Sequence, residues 1–158
     1  MTTYDLRTVP LLAGLPEADL DRLRTATFET DLASGDTLFA EGDVADNAYI
    51  ITSGELEILK ESAGRPVRIA VSGEGDVVGE MGLLSDEPRN ATARALSNTT
   101  LLAVPKACLD DVLETSAPAS RALFDVFISR WREQESRVRQ SERMAQIGVL
   151  TAGLAHEM

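Results

Sequence analysis

The sequence predicts an α+β fold: an antiparallel, jelly-roll-like β-roll flanked by short helices and followed by a long C-terminal helix. Three observations predict it. From Phe28 to Val104, short apolar runs are punctuated by Gly35, Gly42, Gly54, Gly64, Gly73, Gly75, Gly79 and Gly82, and short strands joined by glycine turns make an antiparallel roll or barrel. Apolar residues at helical spacing bracket that region on both sides. Finally, no proline interrupts residues 119–158, which leaves room for one long helix.

Each element has its own justification. Pro16 opens a helix over Glu17–Thr25 that puts Leu20 and Leu23 on one face. AYIITSGELEIL, residues 48–59, makes two strands hinged at Ser53-Gly54. Pro105 opens a second helix with Leu109, Val112 and Leu113 at helical spacing. The last helix starts near Pro118, and Leu123, Phe124, Phe127, Ile128 and Trp131 give it a wide apolar stripe. Its next portion, Arg132 to Arg143, is polar except for Val138, before Met144, Ile147, Leu154 and Met158 resume the apolar pattern. A lone helix that polar is marginal in water, so a homodimer through the C-terminal helix is expected. Gly148 and Gly153 each cost about 1 kcal/mol relative to alanine in a helix, which suits close packing or a bend.

Composition bounds the function. A chain of 158 residues with 44% apolar content is one domain with an extension. Residues 1–118 carry 9 basic and 21 acidic side chains, residues 119–158 carry 6 and 5, and the net charge is −11. So acidic a body repels a polyanion, and no DNA partner is expected. The longest apolar stretch, Ile147 to Ala155, falls short of the roughly 18 residues of a membrane span, so no membrane partner is expected either. MTTYDLRTVP lacks the basic start and apolar core of a secretory signal. A single cysteine, Cys108, excludes an internal disulfide and suits a reducing compartment, so the expected location is cytoplasmic. No metal site is predicted. Cys108 and Trp131 are read as packing residues, and Asp86 and Glu87 as solvated.

Residues 79–92, GEMGLLSDEPRNAT, carry the most chemistry. Gly79 lets a backbone approach a ligand closely, and Glu80 can accept from a hydroxyl. Met81, Leu83 and Leu84 are expected to face inward, with Gly82 keeping the backbone accessible. Pro88 sets the chain direction ahead of Arg89, and Thr92 closes the segment. Free N–H groups of a turn with an arginine aimed at the same spot form an anion cradle. A nearby carboxylate adds a partner for a sugar hydroxyl. Phosphate with ribose means a nucleotide.

This segment closely resembles the phosphate-binding cassette of cyclic nucleotide-binding domains of the catabolite activator and protein kinase A regulatory type. SGDTLFAEGDVADNAYIITSGELEIL (34–59) and GEGDVVGE (73–80) extend the resemblance, which covers residues 11 to about 140. It implies that Arg89 holds the cyclic phosphate, with backbone N–H groups near Gly82 and Ala91. Gly79 and Glu80 take the ribose 2′-hydroxyl, and Ile58 and Ile69 line the base pocket. The implied ligand-binding set is completed by Met81, Asn90 and Thr92. Asn90 departs from the family's usual serine, alanine or threonine, which leaves the base open; cyclic AMP is the first expectation and cyclic GMP the second. Gln134 and Glu135 align with lid-helix positions that reach the base.

A second resemblance lies in SERMAQIGVLTAGLAHEM, residues 141–158, which looks like the opening of the phosphoacceptor helix of sensor histidine kinases. It implies that His156 accepts phosphate and that Glu157 is its acid–base neighbour. ATP would then bind only a part of the kinase outside this sequence, so the chain alone is not an active enzyme. The implied plan is a sensor over 1–118, a lid and signalling helix over 119–140, and an incomplete dimerisation and phosphoacceptor helix over 141–158. The expected function is a cyclic nucleotide sensor regulating an attached histidine kinase, with a response regulator as downstream partner. Two alternatives are a transcription regulator built on the same sensor and a nucleotide-free dimerisation or docking domain.

Overall fold

The computed structural model describes residues 4–10, 12–125, 128, 129 and 132, apart from the side chain of Leu84. The chain divides into two compact units, Met1–Leu123 and Phe124–Met158. The first contains every element named below. In the second, residues 124, 125, 128, 129 and 132 are helical.

A short 3₁₀ turn, Leu6–Thr8, precedes helix α1 (Glu17–Ala26). Strands β1 (Phe28–Leu32), β2 (Thr37–Phe39), β3 (Asn47–Ser53), β4 (Leu56–Ser62), β5 (Arg65–Ser72) and β6 (Val77–Val78) follow. Helix α2 (Glu80–Ser85), strands β7 (Thr92–Ala95) and β8 (Thr99–Pro105), and helix α3 (Lys106–Thr115) complete the series. Residues 117–123 are helical again. The expected β-roll between short helices is therefore present, and the Ser53-Gly54 hinge separates β3 from β4.

The strands form two four-stranded antiparallel sheets, ordered β1-β8-β3-β6 and β2-β7-β4-β5. Between them lies a core of Tyr49, Ile51, Leu56, Val78, Ala93, Ala95, Leu101 and Ala103. Each wholly buried leucine there contributes about 1.5–3 kcal/mol. The first sheet is also covered on its other face. Alternation sends Ile50, Leu102 and Val104 away from that core, and they are buried too, against the side where α1 and α3 pack. This explains why β3 and β8 read as continuous apolar runs rather than alternating ones. The outer face of the second sheet is more open: on edge strand β5, Val67, Ile69 and Val71 are about half exposed.

Two local devices shape the roll. Gly54 turns β3 into β4 with φ +90°, and a Cβ there would stand 2.5 Å from Thr99 Oγ1 and 2.6 Å from the Asn98 carbonyl oxygen. Between β4 and β5 the register shifts, so that Ile58 faces Ala70 while Leu59 faces Arg68. Ile69 is the extra residue of that bulge. At the other end of the unit, Ser116 caps the terminal helix: its Oγ accepts from Ala119 N at 3.2 Å and donates to the buried Asp19 carboxylate at 2.7 Å.

Among the described residues, no helix is long and apolar enough to cross a membrane. Also among them, no group of His, Cys, Asp or Glu is arranged to hold a metal ion.

Candidate functional site

The segment 79–92 folds as its residue types dictate. Gly79 leaves β6 with φ +78°, a left-handed conformation that favours glycine, and starts the single-turn helix α2. Asp86 ends the helix with φ 58°, its N–H bonded back to the Gly82 carbonyl. Glu87 N donates to the same oxygen at 3.2 Å. Asp86 and Glu87 are solvent-exposed, as expected, and Asp86 meets Lys106 Nζ at 3.3 Å. Leu83 is buried, but Met81 is only half buried, because a single helical turn presents just one face to the core.

Arg89 is the centre of the site and is 4% exposed. Its backbone is laced to the β2–β3 loop: Arg89 N donates to the Asp43 carbonyl at 2.8 Å, and Gly42 N donates to the Arg89 carbonyl at 2.7 Å. Its guanidinium turns inward. Nη1 donates to the Gly79 carbonyl at 2.6 Å, and Nη2 donates to the Asn47 carbonyl. The guanidinium carbon lies 4.1 Å from the centre of the Phe39 ring. The arginine is thus folded into the roll and engaged by carbonyls, where the sequence alone predicted one aimed at an open cradle.

Burial pushes the Arg89 guanidinium below its ordinary value, against the opposing pull of Tyr49, Asp46, Asp43 and Glu80. The Asp46 carboxylate is 3.7 Å away and mostly solvated. Among the described residues, Arg89 Nε is the buried side-chain nitrogen or oxygen with no hydrogen-bond partner. A buried charged donor without an acceptor is costly, and an anionic oxygen matches it. The chemistry of this donor therefore fits a phosphate.

The remaining predicted residues fall in different places. Glu80 is 6% exposed and lines a small apolar cavity, about 30 Å³, with Leu12, Leu23, Ile50 and Leu109. That cavity lies on the helix side of the first sheet, whereas Arg89 packs against Phe39, which belongs with the inner core. Ile58 is half buried against the core, and Ile69, the bulge residue, is 50% exposed. Asn90 is exposed and Ala91 buried, while Thr92 Oγ1 accepts from Glu41 N at 2.9 Å. Gln134, Glu135, His156, Glu157 and Trp131 lie outside the described residues. Cys108 is half buried on α3, with its thiol 3.7 Å from the Arg22 carbonyl.

Sequence reasoning missed Phe39, Asn47, Glu41 and Lys60, all of which touch the Arg89 segment or its neighbours. One signal was available. Lys60 is the single lysine before Lys106 in a strongly acidic stretch.

Comparison with known proteins agrees with the fold. The chain resembles the cAMP-dependent protein kinase regulatory subunit of Blastocladiella emersonii, at 37% identity over 91 residues, or 57% of this chain and 23% of that protein. It spans about a quarter of the length of the first curated relatives it matches. Among solved structures, the N-terminal domain of a transcriptional regulator from Streptomyces coelicolor A3(2) is similar with a TM-score of 0.70 and 34% identity. The likeness covers 84% of this chain and 96% of that one. The regulatory domain of Toxoplasma gondii PKA with cAMP is similar with a TM-score of 0.69 and 32% identity, covering 78% and 47%. The family model described as cyclic nucleotide-binding domain matches residues 29–116, more than half of the sequence, and the chain belongs to the cyclic nucleotide-binding domain family.

Proposed function

We propose that this chain binds a cyclic nucleotide at the Arg89 segment and passes its occupancy to a histidine-kinase phosphoacceptor helix. The observation that carries the ligand site is Arg89 Nε, a buried cationic donor with no acceptor inside a family fold that binds cyclic phosphates. Charge-assisted bonds from Arg89 to the phosphate contribute on the order of 1.5–3 kcal/mol each. Gly79 and Glu80 take the ribose hydroxyl, for which Glu80 must turn from the helix-side cavity. Ile58 and Ile69 flank the base, and the family resemblance adds Gln134 and Glu135, which lie outside the described residues. Cyclic AMP is the first ligand to test, since the Toxoplasma relative is described with it.

The kinase reading rests on residues 141–158 alone. His156 is its phosphoacceptor and Glu157 the acid–base neighbour, in a cytoplasmic homodimer signalling to a response regulator. Ligand shifts such a system only by its differential affinity for two lid positions, about 1.4 kcal/mol per tenfold. A transcription regulator is the second reading, favoured by the Streptomyces likeness; it requires a helix-turn-helix where this sequence runs into LAHE.

Titrating this chain with cyclic AMP and cyclic GMP, beside Arg89→Ala, tests the ligand site. Micromolar binding lost in the variant is expected, and no binding to folded wild-type protein overturns it. For the kinase, equal autophosphorylation of the complete protein with and without cyclic AMP would sink the proposal.

A further inference from the structure

We infer that Glu41 and Lys60 are positioning residues that orient the Asn90–Ala91 peptide, and through it set the affinity of the Arg89 segment for its anion. This rests on the nucleotide reading above but adds residues that reading does not use. Lys60 stands on β4, and its Nζ donates to the Asn90 carbonyl at 2.7 Å and to Glu41 Oε1 at 3.1 Å. The other Glu41 oxygen accepts from Glu61 N at 3.1 Å, and Glu41 N donates to Thr92 Oγ1 at 2.9 Å. One ion pair thus joins three pieces of chain: the β2–β3 loop, the β4–β5 hairpin, and the stretch directly after Arg89.

The consequence follows from peptide geometry. In a planar trans peptide the C=O and N–H point in opposite directions. The Asn90 oxygen and the Ala91 N–H belong to the same plane. By holding the oxygen outward, Lys60 fixes the Ala91 N–H toward the opposite side. On the other flank, Arg89 is already held through Asp43 and Gly42. Thr92 is held on the far side by Glu41 N and by pairing with Leu59. Between these anchors Lys60 is the partner of the Asn90 carbonyl, and without it that peptide loses the bond that sets its orientation. Removing the lysine also leaves the Glu41 carboxylate unneutralised close to an anion site, which opposes phosphate. The Glu61 N–H, and next Lys60, hold the Glu41 carboxyl below its ordinary value, which favours the charged carboxylate at neutral pH.

Two measurements on this chain decide the matter: cyclic AMP titration, and amide hydrogen exchange at Asn90 and Ala91, for wild type, Lys60→Met, Lys60→Arg and Glu41→Gln. Lys60→Met is expected to weaken cyclic AMP binding about tenfold with an unchanged melting temperature, because exposed ion pairs add little stability. Exchange should accelerate at Ala91 and not in the core strands. Lys60→Arg, which keeps the charge and the donors, is expected to restore binding to within about threefold. Wild-type affinity in Lys60→Met overturns the inference and leaves the nucleotide reading standing. Should wild-type protein take no cyclic AMP, the nucleotide reading falls. Exchange then decides alone: unchanged protection at Ala91 in Lys60→Met overturns the positioning role, and local acceleration supports it.

Discussion

Buried Arg89 and half-buried Phe39 form a cation–ring pair, with the guanidinium carbon 4.1 Å from the ring centre. Phe39 in turn stacks on Tyr49, their centroids 6.1 Å apart. The ring occupies the face of the guanidinium while the Gly79 and Asn47 carbonyls take its edge, so the cation is compensated inside the roll. Removing the ring leaves a buried charge with less compensation. Phe39→Leu is therefore expected to lower stability by about 2 kcal/mol, read from urea denaturation. An unchanged midpoint would mean that the ring merely fills space.

Gly79→Ala tests the same arrangement from the backbone side. A Cβ at Gly79 would run into Arg89 Nη1 and stand 3.2 Å from Phe39, at a φ of +78°. The strained conformation alone costs on the order of 1–3 kcal/mol. Because the displaced group is the arginine, cyclic AMP binding should fall more steeply than stability. Titration and thermal melting of the variant, measured together, separate the two; a loss confined to stability would contradict this account.

The Ser116 hydroxyl serves two groups at once, capping the helix at Ala119 N and donating to Asp19. Replacing an N-cap serine by alanine costs about 1 kcal/mol. Here the Asp19 carboxylate, 5% exposed, also loses a donor, leaving Arg22 Nη1 at 3.3 Å. Ser116→Ala should accordingly cost about 2 kcal/mol, and Ser116→Thr, which keeps the hydroxyl, clearly less. Equal losses in denaturant melts would assign the effect to packing instead.

Burial pushes the Cys108 thiol above its ordinary value, with Arg22 pulling the other way and Asp111 adding to the rise. The neutral form is the one the fold favours. Its contribution to stability is present at neutral pH and is lost as pH rises through the raised value. Alkylation by iodoacetamide at pH 8 should therefore be slower in the folded protein than in the same chain in urea. Equal rates would show that the thiol is not shielded.

Much of the fold was legible because its signals are local. Glycine turns, the Ser53-Gly54 hinge and the helices opening at Pro16 and Pro105 are decided within a few residues, and the strands and helices appear where those signals put them. The Arg89 segment could be singled out for the same reason, since the candidate residues from Gly79 to Thr92 share one stretch of fourteen, 79–92. Ile69 was less so. Strand alternation does not announce a bulge, and the register shift opposite Leu59 leaves this residue half exposed.

What the amino-acid order determined by itself was the strand and helix pattern, the contiguous Gly79–Thr92 segment and the single arginine within it. Tertiary structure alone decided how that arginine is held. Phe39, Asn47, Glu41 and Lys60 are tens of residues distant in sequence, and only sheet pairing brings them to the Arg89 segment. A charge can be buried there because carbonyls and an aromatic face converge on it from separate strands, and no local pattern encodes that convergence.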